Sequence, residues 1–151
     1  MDRLQTDDAG LERLQHERGH AARDASTARG GWALGLGPYV ARSDDQGATW
    51  DHRSPGLTFP ADMGITVGSV WNVRPAIASQ PGVVYAGTQP AGLFRSDDWG
   101  ETWAPVEEVN RHPFREFWGD SGQGASTLHT IELHPTDAQC FYISTPPAGR
   151  M

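Results

Sequence analysis

Several side chains that are able to contact a sugar or another small polar ligand lie between residues 110 and 126. Arginine, imidazole, carboxylate and aromatic groups together can hold both the hydroxyls and the apolar face of a sugar ring, and long connections often carry binding sites. The alternative is an ordinary long connection that Phe117 and Trp118 pack against the protein. The candidates for ligand binding are His112, Arg115 and Trp118, and the carboxylates considered for catalysis are Glu116 and Asp120.

A second group of polar side chains lies in the sequence LHTIELH, residues 128–134. On a strand, Glu132 and His134 share one face, while His129 lies on the other. Binding of a metal by all three residues needs a distorted strand, and the HExxH spacing of helical zinc sites is absent. We therefore predict no metal site. Glu132 remains a catalytic candidate and His129 a ligand-binding candidate, against the alternative of ordinary strand positions.

The composition excludes several classes of function. The net charge of −7 argues against a nucleic-acid partner. The chain has no lysine, which excludes Schiff-base and P-loop lysine chemistry, and the single Cys140 cannot form an internal disulfide or a thiolate cluster. No stretch approaches the about 20 apolar residues of a membrane span, and no apolar signal core is present. We predict a cytoplasmic protein with no membrane partner and no cofactor.

The first 29 residues differ from the rest of the chain. Eleven of them are charged and none is aromatic. Asp7 or Asp8 can cap a helix through about Leu11–Arg23, with Leu11 and Leu14 on one face. Because two leucines make a thin apolar stripe, we predict a helix or disorder for residues 1–29.

A nine-residue phrase occurs twice, as RSDDQGATW at 42–50 and RSDDWGETW at 95–103. Both copies fit the pattern S-x-D-x-G-x-T-W. Asp or Ser at the entry of a tight turn can accept hydrogen bonds from nearby backbone N–H groups, glycine adopts the positive φ that the turn requires, and tryptophan enters the next strand. We therefore predict a structural rather than a ligand-binding role for Ser43, Asp45, Gly47, Thr49 and Trp50, and for Ser96, Asp98, Gly100, Thr102 and Trp103.

The similarity extends beyond the phrase. Residues 32–50 align with 85–103, and a third copy begins at Tyr142 and reaches Met151. Periods of about 20–50 residues are typical of solenoids and propellers. Short strands are predicted at 69–74, 83–88, 92–96 and 102–106, then at 127–134 and 140–145; four such strands joined by tight turns form one propeller blade. We predict an all-β fold for residues 30–151, a partial β-propeller of about two and a half four-stranded blades.

The repeated phrase is the Asp box, and the region from Trp32 to Met151 resembles bacterial BNR/Asp-box repeat proteins that are often labelled glycosyl-hydrolase-like or exo-sialidase-like. Residues 1–29 do not match this family. The resemblance implies a propeller with each Asp box on the hairpin between the third and fourth strands of a blade, away from the ligand funnel. Arg74, at the end of an inner strand, is the arginine expected to face that funnel. The early Arg-Ile-Pro motif of sialidases is missing.

Three hypotheses for function follow. The first is a glycosyl-hydrolase-like propeller segment that binds or hydrolyses a glycan or similar polar ligand; hydrolysis requires two carboxylates at a set separation, which one sequence does not place. The second is a non-enzymatic, sortilin-like module that binds protein or peptide. The third is an inactive remnant. In each case we expect missing blades or self-association to cover the open sheet edges.

Overall fold

The computed structural model describes residues 37–118 and 126–145, together with the strand backbones at Gln5–Thr6, Glu12–Gln15 and Thr27–Ala33. In these residues the chain is mostly β, which confirms the predicted class. Two four-stranded sheets and one two-stranded sheet are antiparallel throughout. Helix within the described ranges is limited to α1 (Glu107–Asn110) and 3-10 turns at Ala61–Met63 and Pro113–Phe117.

The N-terminal sheet has the order β1-β2-β3-β4. The helix predicted through about Leu11–Arg23 is wrong where the structure describes it, because Glu12–Gln15 is a strand that pairs with Thr27–Gly30. Pairing satisfies the backbone groups of both segments, whereas a short helix with two leucines has little packing to stabilise it. The boundary placed after residue 29 falls inside β3. The strands are β1 Gln5–Thr6, β2 Glu12–Gln15, β3 Thr27–Ala33 and β4 Gly37–Ser43.

The central sheet is a meander in the order β5-β6-β7-β8. Its strands match the four predicted ones to within two residues at either end. Side chains alternate across the sheet: Val84 and Phe94 lie on one face, while Tyr85 and Leu93 lie on the other. Both faces are buried. The strands are β5 Ser69–Pro75, β6 Val84–Gln89, β7 Gly92–Ser96 and β8 Ala104–Pro105.

Strands β9 (Thr130–Leu133) and β10 (Phe141–Ser144) form a C-terminal hairpin. Ile131 packs with Tyr85 and Leu93 of the central sheet, so this hairpin covers one face of the sheet. The opposite face of the central sheet packs on β3 and β4 through a second core. That core contains Val40, Leu57, Phe59, Val67, Val70, Val73, Val84, Ala86, Phe94 and Trp103. The three sheets therefore stack in sequence order with an apolar core between neighbours.

The sequence repeat is also a repeat of backbone pairing. Arg95 pairs with Ala104 across β7 and β8, and Arg42 forms an isolated bridge with Asp51 at the positions 53 residues earlier. Two hydrogen bonds of 2.8 Å join Arg42 and Asp51. The first Asp box thus joins β4 to the bridge at Asp51, as the second joins β7 to β8.

Candidate functional site

The two Asp boxes form the same network of hydrogen bonds. In the first, the backbone N–H groups of Gly47 and Thr49 donate to Ser43 Oγ at 2.7 Å and to Asp45 Oδ1 at 2.8 Å. The Thr49 hydroxyl donates to Asp45 Oδ2 at 2.7 Å. The second box repeats these three bonds at 2.8, 2.8 and 2.6 Å through Ser96, Asp98, Gly100 and Thr102. The carboxylates are engaged by the loops that carry them.

The backbone and the charge of each box follow from this network. Gly47 and Gly100 have φ of 95° and 88°, and the residues before them, Gln46 and Trp99, are also left-handed. Hydrogen bonds from Thr49 and Ser43 lower the pKa of Asp45 to about 2. Burial alone raises the pKa of Asp98, but hydrogen bonds from Thr102 and Ser96 outweigh that effect and hold it below its ordinary value.

An exposed tryptophan lies on β5, an edge strand of the central sheet. Trp71 lies at a bulge in β5, where the register with β6 shifts between Val70 and Asn72. Bulges often re-aim a side chain, and the Trp71 side chain is 48% exposed here. Its indole N–H donates to Gln89 Oε1 at 3.3 Å. Sequence reasoning missed Trp71, although a signal was present: Val70 and Val73, both buried, are three residues apart rather than two.

His129 lies beside Trp71, immediately before β9. The two ring centroids are 6.4 Å apart, and the Asn72 amide donates to the His129 carbonyl at 3.1 Å. Further along the same strands, Arg74 and Glu132 form an ion pair of 3.6 Å. The side chains of Arg74 and Glu132 are 41% and 61% exposed, so both groups face solvent. The structure therefore brings together three sequence candidates, Arg74, His129 and Glu132, with Trp71 and Asn72. We call these five residues the inner-strand cluster, after the inner strands that the Asp-box resemblance predicts.

His134 lies outside this cluster. Its Nδ1 accepts hydrogen bonds from the backbone of Thr136 and Asp137, at 3.4 and 3.0 Å, and so caps the turn between β9 and β10. Across residues 37–118 and 126–145, no group of three His, Cys, Asp or Glu side chains is placed to hold a metal ion.

The connection after β8 forms a separate aromatic group. The rings of His112 and Trp118 stack at 6.1 Å and 18°, and His112 Nδ1 accepts a hydrogen bond from the Phe114 backbone at 3.2 Å. The Arg115 guanidinium lies 5.1 Å from the ring centre of Phe59 and 5.6 Å from that of Trp118. The three ligand-binding candidates of this segment are thus in mutual contact. We call His112, Arg115 and Trp118, with Phe59, the Arg115 cluster.

The two catalytic candidates of the same segment are not tested by the structure. Glu116 lies on the 3-10 turn Pro113–Phe117, and its side chain is outside the described residues, as is the whole of Asp120. Asn110, just before them, is buried, and its side-chain amide exchanges two hydrogen bonds with the Leu93 backbone, at 2.8 and 2.9 Å. This buried amide fixes the start of the connection to β7.

An open groove of about 830 Å³ lies between the segment 56–66 and the residues that follow the second Asp box. Glu107 is the ionisable side chain in its lining, which also includes Thr58 and Thr66 beside apolar residues and glycines. The groove contains none of the ligand-binding candidates.

In comparisons with known proteins, the chain matches no family model and no curated protein. Within the described residues, no helix has the length and apolar character needed to cross a membrane.

Proposed function

We propose that the stacked sheets are consecutive blades of an Asp-box propeller. Support comes from an offset of 53 residues between the two copies. The hydrogen bonds of the first Asp box recur at this offset in the second, and the pairing of Arg42 with Asp51 recurs as that of Arg95 with Ala104. Further support comes from the position of β5 and β9, the first strands of successive sheets, which lie side by side and are joined through Asn72 and His129. Blades around a shared axis place their first strands in this way.

Two tyrosines support the need for a further sheet. Tyr85 lies opposite Arg74 in the central sheet, and Tyr142 lies opposite Glu132 in the hairpin. Tyr85 is buried beneath the hairpin, with its ring 6.0 Å from Phe141, whereas Tyr142 is 66% exposed. A sheet packed on the hairpin would bury Tyr142 in the same manner. We propose that further blades, or self-association, supply this cover.

We further propose that the protein binds a glycan or a similar polar ligand at the inner-strand cluster. The observation that carries this proposal is an exposed Trp71 on a bulge, one strand away from His129 and next to the Arg74–Glu132 ion pair. An indole face can stack on the apolar face of a sugar ring, and a solvent-exposed ion pair contributes little to stability. The N–H groups of Arg74 and the carboxylate oxygens of Glu132 are therefore available to ligand hydroxyls.

Binding is better supported than hydrolysis. Glycoside hydrolysis uses two carboxylates about 5–10 Å apart, one as acid and one as nucleophile or base. Within the inner-strand cluster, Glu132 is the single carboxylate, and Arg74 neutralises it. The resemblance to glycosyl-hydrolase-like proteins therefore supports the proposed fold more than it supports hydrolysis.

A peptide-binding module is the second candidate function. Large apolar side chains on the surface favour it, since such groups are common at protein interfaces. Phe114 and Phe117 are 63% and 69% exposed on the connection after β8. An extended partner with apolar side chains would fit these rings.

Titration with a panel of neutral and acidic glycans, followed by calorimetry, tests the glycan proposal. We expect Trp71→Ala to weaken binding tenfold or more, about 1.4 kcal/mol, and Trp71→Phe to retain part of it. Phe114→Ala, which removes an equally exposed ring elsewhere, serves as the control. Circular dichroism verifies that each variant is folded. Glycan binding that survives Trp71→Ala and is lost in Phe114→Ala would contradict the assignment and favour the peptide module. If the protein hydrolyses aryl glycosides and Glu132→Gln abolishes this activity, the hydrolase hypothesis would be favoured over binding alone.

A further inference from the structure

The positive charge of Arg74 is balanced within the inner-strand cluster. Arg74 Nη2 lies 3.6 Å from Glu132 Oε2, and with histidine counted as neutral these are the two charged side chains of the cluster. The Asn72 amide is engaged by the His129 carbonyl at 3.1 Å. The cluster therefore presents hydrogen-bonding groups to a ligand without an excess of positive charge.

Trp71 offers a ring face rather than a hydrogen-bond donor. Its indole N–H, the one polar group of the side chain, donates to Gln89 Oε1 at 3.3 Å. About half of the side chain is exposed. The exposed part is thus aromatic carbon, and the face of an aromatic ring is the negative end of its quadrupole. Such a face favours the C–H groups of a sugar ring over a carboxylate.

The charges elsewhere on the protein also disfavour an anionic ligand. The net charge of −7 lowers the local concentration of anions. Arg115 lies over the rings of Phe59 and Trp118 and belongs to the separate Arg115 cluster. The other arginines whose side chains the structure describes each pair with a carboxylate within 4 Å: Arg42, Arg53, Arg74, Arg95 and Arg111.

We propose that the inner-strand cluster selects neutral pyranose sugars and discriminates against acidic ones. This inference rests on the proposed glycan function and specifies the class of ligand. A neutral ring stacks on Trp71, while its hydroxyls accept hydrogen bonds from Arg74 and donate to Glu132. An acidic sugar brings its carboxylate towards Glu132, and like charges placed side by side repel. Glu132 thus determines the selectivity, because it occupies the guanidinium that an acid requires.

Matched pairs of methyl glycosides test this selectivity: a glucoside with a glucuronide, and a galactoside with a galacturonide. The members of a pair differ only at the exocyclic carbon, which is a hydroxymethyl group in one and a carboxylate in the other. Affinities are measured at constant ionic strength by NMR titrations that observe the ligand. We expect the neutral member of a pair to bind about threefold or more tightly than the acid.

The outcomes of this titration separate the two proposals. An acid that binds at least as tightly as its neutral partner, and loses binding in Trp71→Ala, would overturn the selectivity and leave the glycan proposal standing. If none of the four sugars binds, or if Trp71→Ala leaves their binding unchanged, the glycan proposal fails and the selectivity fails with it.

Glu132→Gln tests the source of the selectivity, because it removes the carboxylate and releases Arg74 from its ion pair. The ratio of glucuronide affinity to glucoside affinity should rise about fivefold or more, since the free guanidinium can accept the acid. Glu108→Gln is the matched control: it removes an equal charge from α1 and should leave the ratio unchanged. Circular dichroism verifies that each variant is folded.

A double-mutant cycle assigns the gain to Arg74. In an Arg74→Gln background, Glu132→Gln should no longer raise the ratio, because no guanidinium is released there. A constant ratio in Glu132→Gln, or a rise that Glu108→Gln reproduces or that persists without Arg74, would show that the ion pair does not set the selectivity. Each of these results would overturn the proposal.

Discussion

The two Asp boxes share their hydrogen bonds but differ in their tryptophans. Trp103 is 5% exposed and belongs to the core between the N-terminal and central sheets. Its backbone N–H donates to the Pro55 carbonyl at 2.8 Å, whereas its indole N–H is buried without a partner. Trp50 is half-buried, and its indole N–H donates to the Gly47 carbonyl at 3.1 Å.

The nine-residue phrase determines the structure of the loop, whereas residues outside the phrase determine how far its tryptophan is buried. The serine, aspartate, glycine and threonine build the same loop in both copies from contacts within nine residues. The environment of the tryptophan depends on a segment that the phrase does not contain, residues 55–67, which contributes Leu57, Phe59 and Val67 to the core around Trp103. The loop of the Asp box is a local unit, and the burial of Trp103 is supplied by residues of the preceding repeat.

The largest effect is expected from removing the two tryptophans separately. Trp103→Ala should lower the free energy of unfolding by about 3–5 kcal/mol, because it opens a cavity in the core. Trp50→Ala should cost about 1–2 kcal/mol, since less apolar area is buried there. Urea unfolding of both variants, with Trp103→Phe as a partly filled control, measures the gap. Equal losses of stability in the two alanine variants would show that each tryptophan acts within its own loop and that residues 55–67 add nothing at Trp103.

Two glycines in the segment 55–67 test how this segment packs against Trp103. Gly56 has a φ of 81°, and a Cβ there would lie 2.0 Å from the Trp103 carbonyl oxygen. Gly64 has a similar φ of 63° with open space around it. Gly56→Ala should therefore cost about 3 kcal/mol, from backbone strain and a clash together, and Gly64→Ala about 1–2 kcal/mol from strain alone.

Thermal unfolding of the two alanine variants measures this difference. If Gly56→Ala were no more destabilising than Gly64→Ala, the close approach of residue 56 to the Trp103 backbone would not constrain this position. The Gly56 variant should also increase the exposure of Trp103, which tryptophan fluorescence reports as a red shift.

The sequence predicted what short-range contacts decide. The two boxes and the strands of the central sheet follow from turn residues and alternation, which act over a few positions. The left-handed backbone of Gln46 and Trp99 was not predictable, because neither residue type prefers it and the loop network imposes it. The strand at Glu12–Gln15 depends on pairing with β3, a long-range contact that overrides a weak helical pattern.

Only part of the candidate site was predictable, because its residues come together through long-range contacts between sheets. Arg74, His129 and Glu132 were identified by type, but their meeting across two strands required the stacking of the sheets. Trp71 was missed because a bulge turns it outward. Among the described residues, Arg115 has no carboxylate partner, and this depends on how distant segments fold rather than on a local sequence pattern.

The smallest effect is expected from the carboxylates of the boxes, and it depends on pH. The pKa of Asp45 is lowered to about 2 from an ordinary value of 3.8. The folded state therefore binds this proton less readily than the unfolded chain. The stabilisation is fully present above the ordinary pKa and is lost as the pH falls from about 4 towards 2. Asp98 should act in the same direction.

Melting temperatures measured across this acid range test the assignment. Asp45→Asn should flatten part of the acid-side slope, since it removes the titrating group, and Asp98→Asn should do so too because the two networks match bond for bond. Asp97→Asn is the control: it removes the same charge but leaves the hydrogen bonds from Thr102 and Ser96 in place. A slope that Asp97→Asn flattens as much as Asp45→Asn would assign the effect to net charge rather than to the hydrogen bonds of the boxes.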